Sequence, residues 1–227
     1  MRRIRAATFN VLHGQRGDGS GVVDLDLLVT CAAGLDADLL ALQEADVGVV
    51  RSGRADQPRA VAEATGMEHV FAKAISIGTG RYGNALLARG PISDIEVLRL
   101  PKHSRLHEWR VAILATVQLE GIPVSVAATH LSIHRDEVHE QLDLVVAALA
   151  ARPAPAVLLG DLNLLSEEVE PVVRAAGLHL AGGGATFPAD NPRIRIDHVA
   201  VAGLGLGEVD VVRTRCSDHR ALVVELR

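Results

Sequence analysis

Polar residues that can carry chemistry recur where apolar, strand-like runs begin or end. Eight of them are carboxylates, histidines or amides, namely Asn10, Glu44, His130, Asp161, Asn163, Asp197, Asp218 and His219. Loops at strand ends are where a rigid sheet displays functional groups, so we expect these side chains to converge in one cleft. Burying so many carboxylates together is costly unless a cation balances them. The set therefore predicts a metal-dependent site.

The donor types indicate which cation would bind. Carboxylate and amide oxygens are hard ligands that suit Mg²⁺ or Mn²⁺. A structural zinc site would use Cys and His at short spacing, and neither Cys31 nor Cys216 has such a neighbour. Asn10 and Glu44 are the natural pair of metal ligands, with Asp218 as a third. Because Mg²⁺ leaves coordination positions for water and phosphate oxygens, this chemistry favours a phosphate-ester substrate.

Two other patterns resemble known sites but lack their defining residues. The triplet Ser217-Asp218-His219 contains residue types of a serine hydrolase, yet the chain has no Gly-x-Ser-x-Gly elbow. His103 and His107 have the i,i+4 spacing of a zinc pair without the His-Glu-x-x-His arrangement. We therefore predict that these two histidines lie in an exposed loop at the rim of the substrate site.

Composition limits the class of protein. The chain has 227 residues, of which 48% are hydrophobic and 22% charged, and this is typical of a globular protein with a sizeable core. Only 2% of the residues are aromatic, which excludes a row of aromatic platforms for stacking single-stranded bases. The formal net charge of −5 does not favour a protein wrapped in nucleic acid, although it allows a local basic patch.

The N-terminal residues and the cysteines bear on the cellular compartment. No apolar leader precedes the strand-like run at 4–10, and no apolar run approaches the roughly 20 residues needed to span a bilayer. Two cysteines are too few for a disulfide scaffold, so we predict that Cys31 and Cys216 are free, buried thiols. These features predict a cytoplasmic protein without stable membrane insertion.

Strand-like and helical patterns alternate along the chain. Helices are predicted at 24–33, 57–65, 135–151 and 166–176, and strands at 4–10, 38–43, 67–72, 83–89, 92–98, 109–119, 122–130, 156–160, 194–201, 207–213 and 220–226. Helices between strands indicate α/β layering, whereas consecutive strands indicate antiparallel pairing. Since no linker or repeat divides the sequence, we expect a single domain over residues 1–227, built as a mixed-sheet sandwich flanked by helices.

Taken in order, the polar motifs resemble those of the endonuclease/exonuclease/phosphatase (DNase I-like) superfamily. They are Thr8-Phe9-Asn10, Leu42-Gln43-Glu44, Gly83-Asn84, Thr129-His130, Gly160-Asp161-Leu162-Asn163, Thr186-Phe187-Pro188, Arg195-Ile196-Asp197-His198 and Ser217-Asp218-His219-Arg220. Each motif alone is weak, but their order along nearly the whole chain is specific. The resemblance implies a four-layer α/β sandwich, with two packed, mixed and mostly antiparallel β-sheets flanked by helices. It also implies Mg²⁺-dependent hydrolysis of a phosphate ester by in-line attack of an activated water, with Mn²⁺ as a substitute.

The resemblance implies roles for the matching residues. Asn10 and Glu44 match metal-binding positions, and Asp218 matches a position that is a metal ligand in some members. Asp161 matches the aspartate that orients or deprotonates the attacking water, and Asn163 matches the amide that steadies the phosphoryl group.

The histidines also match motif positions. His219 matches the invariant histidine, and Asp197 matches the carboxylate that orients it. His130 matches the second histidine of the deoxyribonuclease-like and sphingomyelinase-like branches. Whether Asp161 or His219 is the general base stays open.

Four further residues are candidates for substrate binding. Arg51 and Arg54 follow Glu44 closely and would grip a non-scissile phosphate, although a solvated surface loop is an equally good interpretation. Asn84 belongs to the Gly83-Asn84 motif of the resemblance. Arg110 starts a strand that the resemblance places beside the cleft.

Three functions stay open. A phosphodiesterase or nuclease is the leading hypothesis, with a nucleic acid, a lipid headgroup or a small phosphodiester as the substrate. A phosphomonoesterase acting on a small metabolite or lipid headgroup would differ only in pocket shape. A catalytically silent binding module would be expected to have lost a metal ligand or the last histidine, and this chain keeps them all.

Overall fold

Twelve β-strands and four α-helices make up residues 3–227, the part of the chain that the computed structural model describes. The strands are β1 (Ile4–Asn10), β2 (Leu39–Val47), β3 (Glu68–Ile77), β4 (Gly80–Ala88), β5 (Ile92–Arg99), β6 (Val111–Leu119), β7 (Ile122–His130), β8 (Ala156–Asp161), β9 (His179–Leu180), β10 (Asp197–Ala202), β11 (Leu206–Val212) and β12 (Ala221–Leu226). The helices are α1 (Leu25–Ala33), α2 (Gln57–Thr65), α3 (Arg135–Ala150) and α4 (Ser166–Ala175). Two short 3₁₀ turns, Leu12–Gly14 and Val50–Ser52, follow β1 and β2.

The strands form two six-stranded sheets. One has the order β11-β12-β1-β2-β4-β3, and the other has the order β5-β6-β7-β8-β10-β9. Each sheet contains one parallel pair at its centre, β1 with β2 and β7 with β8, and the remaining pairs are antiparallel. A parallel neighbour requires a crossover connection, and α1 and α3 lie within these two crossovers.

Three apolar clusters hold four layers together. The central cluster lies between the sheets and draws side chains such as Leu86, Ile113, Leu159 and Val224 from both. A second cluster packs α1 and α2 against the outer face of the first sheet, and a third packs α3 and α4 against the outer face of the second. This confirms the predicted four-layer α/β sandwich of two mixed sheets flanked by helices.

The strand predicted at 67–72 continues as β3 to Ile77, five residues further than expected, and the next largest differences lie beside polar motifs. The strand predicted at 38–43 continues as β2 to Val47, with a register shift between Leu42 and Ala45. Glu44 lies in this β-bulge with φ 62°, so our expectation that the strand ends at Glu44 was wrong. The strand predicted from residue 194 begins instead at Asp197, because the backbone of Ile194 pairs with Phe187 in a preceding turn. The short strand β9 was not predicted.

The structure also bears on two expectations drawn from composition, the state of the cysteines and membrane-spanning segments. Cys31 and Cys216 are free thiols, as predicted, and Cys216 is fully buried. Cys31 is only partly buried, so the prediction of burial holds for one of the two. Over residues 3–227, no helix has the length and apolar character that crossing a membrane requires.

Candidate active site

Strand register places three predicted catalytic residues side by side in the second sheet. His130 at the end of β7 pairs with Asp161 at the end of β8, and Asp161 pairs with Asp197 at the start of β10. Gly160 allows the close approach of β7 and β8, since a Cβ atom there would lie 2.3 Å from the carbonyl oxygen of Thr129. The glycine of the Gly-Asp-Leu-Asn motif therefore has a packing role in building the site.

The first sheet contributes Asn10, Glu44 and the segment before β12. The bulge in β2 interrupts the regular alternation of side chains between the two faces of the sheet. It leaves the Glu44 side chain partly exposed at the cleft. Ser217 joins this segment to β1, because its Oγ donates to the carbonyl oxygen of Asn10 at 2.6 Å and accepts from the backbone N–H of His219 at 3.0 Å. Ser217 is thus a positioning residue, a role that the sequence did not reveal.

These elements enclose a cleft of about 460 Å³ at one edge of the two sheets. It is lined by Asn10, Glu44, Tyr82, Glu108, Arg110, His130, Ile133, Asp161, Asn163, Phe187, Ile194, Ile196, Asp218 and His219. Asp197 lies directly behind His219 and is fully buried. The structure therefore brings together all eight residues from which a metal-dependent cleft was predicted.

Asn10 links the two acidic groups nearest to it. Its Nδ2 donates to Glu44 Oε1 at 3.0 Å and to Asp161 Oδ2 at 3.0 Å, while its Oδ1 accepts from the backbone N–H of Leu12 at 3.1 Å. Elsewhere in the cluster, Asp197 Oδ1 and Asp218 Oδ1 are buried without a hydrogen-bond partner. Buried oxygens without donors are costly, which marks the cluster as a place for a cation.

His219 is held by Asp197. Its Nδ1 lies 2.9 Å from Asp197 Oδ2, its Nε2 lies 3.7 Å from Asp161 Oδ2, and the ring of Phe187 packs against it at 4.8 Å between centroids. Burial would lower the pKa of His219, but the charges of Asp197, Asp161 and Asp218 and the hydrogen bond to Asp197 outweigh it and raise the pKa to about 9. His219 is therefore an imidazolium at neutral pH.

His130 has the opposite electrostatic environment. Burial and the positive charges of Arg110 and His219 hold the pKa of His130 well below its usual range, so the ring is neutral. Its Nδ1 lies 3.3 Å from Arg110 Nη1, and a guanidinium can only donate. Its Nε2 lies 3.1 Å from Asn163 Nδ2, which also donates, and 3.5 Å from Asp161 Oδ2, so a donor group faces each nitrogen of the neutral ring.

Asp161 is the group best suited to exchange a proton near neutral pH. Burial and the nearby charge of Asp197 raise the pKa of Asp161 to about 7, against the opposing effects of His219 and the hydrogen bond from Asn10. A carboxyl group with a pKa in this range fits a general base or acid.

The predicted substrate-binding residues divide into two groups. Arg110 lines the cleft, buried between Glu108 and His130. Arg51 instead makes a two-pronged ion pair with the buried carboxylate of Asp46, at 2.8 and 2.9 Å.

Arg54 and Asn84 also lie outside the residues that line the cleft. Arg54 Nη1 donates to Thr79 Oγ1 at 3.3 Å on the surface. Asn84 is buried, and its Nδ2 donates to the carbonyl oxygen of Val111 at 2.9 Å, which ties β4 to β6. The structure thus gives both residues contacts within the protein.

Several residues that line the cleft were not among the predicted site residues: Tyr82, Glu108, Ile133, Phe187, Ile194 and Ile196. Burial and the charge of Glu44 raise the pKa of Tyr82, so its hydroxyl is neutral. The available signal for Tyr82 was its position directly before the Gly83-Asn84 motif. The isoleucines carry no such signal, because an apolar residue in a loop has no distinctive spacing.

The loop between β5 and β6, which carries Arg110 into the cleft, is anchored on α3. The carboxylate of the buried Glu137 accepts from the backbone N–H of His103 at 2.6 Å and contacts the His107 ring, which stacks on His134 at 3.5 Å. His103 and His107 were both predicted to be exposed. This is correct for His103 and wrong for His107, because Glu137 draws its ring against the helix.

Glu137 is expected to make this anchor sensitive to acid. Burial would raise the pKa of Glu137, but hydrogen bonds from His107, the backbone of His103 and Ser132 lower it from 4.5 to about 2. A shift of this size corresponds to roughly 3 kcal/mol. Because the pKa in the folded state is the lower one, this stabilisation is present above about pH 4.5 and is lost as the pH falls toward 2.

Replacing Glu137 with Gln is accordingly expected to lower the free energy of unfolding by about 2 kcal/mol at pH 7, with a smaller difference from the wild type at pH 3. Urea denaturation at the two pH values measures this. Glu140→Gln is the matched control, since Glu140 is exposed and pairs with the exposed His103, and it should cost less than about 0.5 kcal/mol. Equal losses in the two variants, or a loss in Glu137→Gln that does not depend on pH, would contradict this account.

Known proteins match this chain in family and in fold. Residues 7–219 match the endonuclease/exonuclease/phosphatase family. A UPF0294 protein of Vibrio vulnificus (strain CMCP6) is 28% identical over 162 residues, a match that covers 68% of this chain and 55% of that protein, so the chain spans little more than half of this relative. An endonuclease/exonuclease/phosphatase from Beutenbergia cavernae DSM 12333 superimposes with a TM-score of 0.83 and 23% identity, over 100% of this chain and 72% of that one.

A second solved structure with the same fold is a mannosyl-6-phosphatase of Bacteroides thetaiotaomicron VPI-5482, with a TM-score of 0.77 and 18% identity over 99% of both chains. At this level of identity the likeness concerns the fold. The family match is stronger, because it spans nearly the whole sequence and includes every residue of the cleft. The chain belongs to the endonuclease/exonuclease/phosphatase family.

Proposed function

We propose that this protein is a Mg²⁺-dependent phosphodiesterase or nuclease. One observation carries the proposal. Asp161, a carboxyl group whose pKa lies near 7, lies in the same cleft as the imidazolium of His219, 3.7 Å from its Nε2. Such a pair can accept a proton from water and donate one to a leaving oxygen at the same pH. Family membership supports phosphate-ester hydrolysis as the reaction.

The donor set fits a hard divalent cation. Asp161, Asp197 and His219 bring ligand atoms within 4.8 Å of one another, but Asp197 and His219 already hydrogen-bond to each other. We therefore assign the cation to Glu44, at the cleft surface, and to Asp218, which has a buried oxygen without a donor. When bound, Mg²⁺ supplies positive charge to the phosphoryl oxygens and lowers the pKa of water.

The roles of the protein side chains follow from their charge states. Asp161 accepts the proton of the attacking water, because His219 is already protonated at neutral pH and cannot accept one. The neutral His130 lies beside Asp161, with its Nε2 3.5 Å from Asp161 Oδ2, and adds no charge to the cleft. Arg110 and the imidazolium of His219, which both line the cleft, stabilise the negative charge of the phosphoryl group, and His219 donates its proton to the leaving oxygen.

The charge balance of the cleft favours a diester over a monoester. Two cations, Arg110 and His219, share the lining with Glu44, Glu108, Asp161 and Asp218. A diester carries one negative charge and a monoester carries about two near neutral pH, so the acidic lining repels a monoester more strongly. The apolar side chains of Ile133, Phe187 and Ile194 also give the second ester group a surface to contact.

Hydrolysis of bis(p-nitrophenyl) phosphate, p-nitrophenyl phosphate and plasmid DNA tests the proposal. We expect the diester and the DNA to be cleaved with Mg²⁺ or Mn²⁺, and we expect EDTA to abolish the reaction until excess metal is restored. Glu44→Gln should raise the Mg²⁺ concentration needed for half-maximal activity at least about tenfold, because it removes a charged ligand. Faster cleavage of the monoester would favour a phosphomonoesterase, and the absence of any chelator-sensitive hydrolysis would refute the proposal.

A further inference from the structure

A groove of about 410 Å³ lies beside the cleft, where the edge of β3 meets β5 and the start of β6. We call it the β3–β5 groove, and its lining includes Lys73, Ile75 and Ser76 of β3, Val97 and Arg99 of β5, and Trp109. The ladder between β3 and β4 shifts register between Lys73 and Ile75, so a β-bulge sets the direction of β3 at this point.

Three cations lie in the β3–β5 groove or against its Trp109. Lys73 and Lys102 are the only lysines of the chain, and both lie at this groove together with Arg99. Lys73 Nζ contacts Ser76 Oγ at 3.5 Å, and Lys102 Nζ donates to the carbonyl oxygen of His107 at 2.8 Å. Within residues 3–227, none of the three cations makes an ion pair with a carboxylate.

Arginines elsewhere in residues 3–227 are divided: some contact carboxylates, whereas Arg54 and Arg220 donate to neutral oxygens. Most of those that contact a carboxylate do so at short range, and they include Arg16, Arg51, Arg59, Arg89, Arg135, Arg174 and Arg213. Because the formal net charge is −5, a cluster of unpaired cations stands out against an acidic molecule. Such a cluster attracts a polyanion to one face of the protein.

Trp109 holds two of these cations, Arg99 and Lys102, in position. The Arg99 guanidinium carbon lies 3.5 Å from the centroid of the Trp109 ring, and Lys102 Nζ lies 4.7 Å from it. Cation–π contacts of this kind hold the charges in place while leaving N–H donors free. Since Arg99 covers one face of the ring, Trp109 orients cations there and does not offer that face to a base.

The groove borders the catalytic cleft. Ile75, in the groove, pairs across the ladder with Tyr82, which lines the cleft. Trp109, in the groove, is followed directly by Arg110, which lines the cleft. A chain of phosphodiesters whose scissile group lies at Asp161 and which runs across this border would place another of its phosphates in the groove.

We propose that the β3–β5 groove binds backbone phosphates of a nucleic-acid strand, away from the scissile ester. The inference rests on the proposed phosphodiesterase function and names its substrate class. A nucleic acid is favoured because its phosphates repeat along a flexible chain, so one can enter a recessed groove while another lies in the cleft. Contacts to phosphate carry no sequence information, and the covered face of Trp109 removes one surface for base stacking. Binding is therefore independent of base sequence and sensitive to salt.

Anisotropy of a fluorescein-labelled 12-nucleotide single strand, measured in EDTA so that no turnover occurs, tests the proposal. The double variant Lys73→Gln/Arg99→Gln should bind roughly tenfold more weakly at low salt, and each lost contact should reduce the slope of log Kd against log salt by about 0.7. Trp109 is the only tryptophan, so its intrinsic emission should also change when unlabelled strand is added to the wild type. Lys73→Gln alone, at an exposed position, keeps the test valid if the double variant is unstable.

The matched control is Arg59→Gln/Arg174→Gln, which removes the same charge from exposed positions on α2 and α4. It should leave binding within about twofold of wild type. Groove variants should raise KM for the oligonucleotide and leave hydrolysis of bis(p-nitrophenyl) phosphate unchanged. Diester hydrolysis without oligonucleotide binding, equal weakening by the control, or groove-dependent binding of anionic lipid vesicles in place of the strand would overturn the inference. Oligonucleotide binding through the groove without any diester hydrolysis would refute the proposed function and support the groove.

Discussion

Asp161→Asn is expected to lower kcat for a phosphodiester about 10³-fold while the protein stays folded. An amide has nearly the same shape as the carboxyl group but cannot accept a proton from water. Its oxygen can still accept the hydrogen bond that Asn10 Nδ2 gives to Asp161 at 3.0 Å, but the bond from the backbone N–H of Asn163 to the other oxygen, at 3.1 Å, is lost. Burial and Asp197 already raise the pKa of Asp161 to about 7, so a neutral side chain suits this position, and the lost hydrogen bond should cost about 1 kcal/mol of stability. Steady-state kinetics at saturating Mg²⁺ and thermal unfolding measure the two effects.

Asp46→Asn is the matched control for this variant. Asp46 is as deeply buried as Asp161, but its carboxylate binds Arg51 and does not line the cleft. The control should therefore lose stability, on the order of 1–2 kcal/mol, because the ion pair with Arg51 is broken, and it should keep kcat within about threefold. If Asp161→Asn turned over at the wild-type rate, Asp161 would not be the base, and the proposed proton path would be wrong.

The side-by-side placement of three predicted site residues was predictable, because it depends on strand register. His130, Asp161 and Asp197 each stand at the end or the beginning of an apolar strand, and neighbouring strands that stop at one edge bring such residues together. The four-layer arrangement was predictable for a similar reason, since the alternation of helices and strands leaves few ways to cover both faces of two sheets.

Glu44 shows where sequence information was insufficient. The polar pair Gln43-Glu44 interrupts an apolar run, and this predicts a strand end as well as it predicts a bulge. The ladder resumes at Ala45 opposite Gly83, so the bulge depends on pairing with β4, a contact between segments far apart in the sequence. The position of Glu44 in the cleft was expected, but the backbone conformation that places it there was not.

Arg51 shows the same limit for a charged side chain. Its proximity to Glu44 in the sequence made a contact with phosphate plausible, but Asp46 is only five residues away and fully buried. A buried carboxylate without a partner is very costly, so Asp46 takes the guanidinium. The burial of Asp46 is a tertiary property, and it determines that Arg51 binds Asp46 and not a phosphate.

His219→Gln is expected to be the second most damaging substitution, and its effect should depend on the leaving group. We expect kcat to fall about 10³-fold for a nucleoside leaving group, which needs a proton, and only about tenfold for p-nitrophenolate, which does not. Gln can still donate a hydrogen bond to Asp197, so the buried carboxylate keeps a partner. Asp161→Asn should instead impair both substrates to a similar extent, because both reactions require an activated water.

Asp197→Asn separates positioning from proton donation. Asp197 lies behind His219 and does not line the cleft, and its charge helps to raise the pKa of His219 to about 9. With an amide in its place, the imidazole should lose its proton at a lower pH, so the alkaline limb of the kcat profile should move to lower pH by at least about one unit. A profile that stays in place, or an equal loss in His219→Gln for both leaving groups, would mean that His219 stabilises the phosphoryl charge without transferring its proton. The leaving-group series therefore decides between the two roles that a cationic histidine can have at this position.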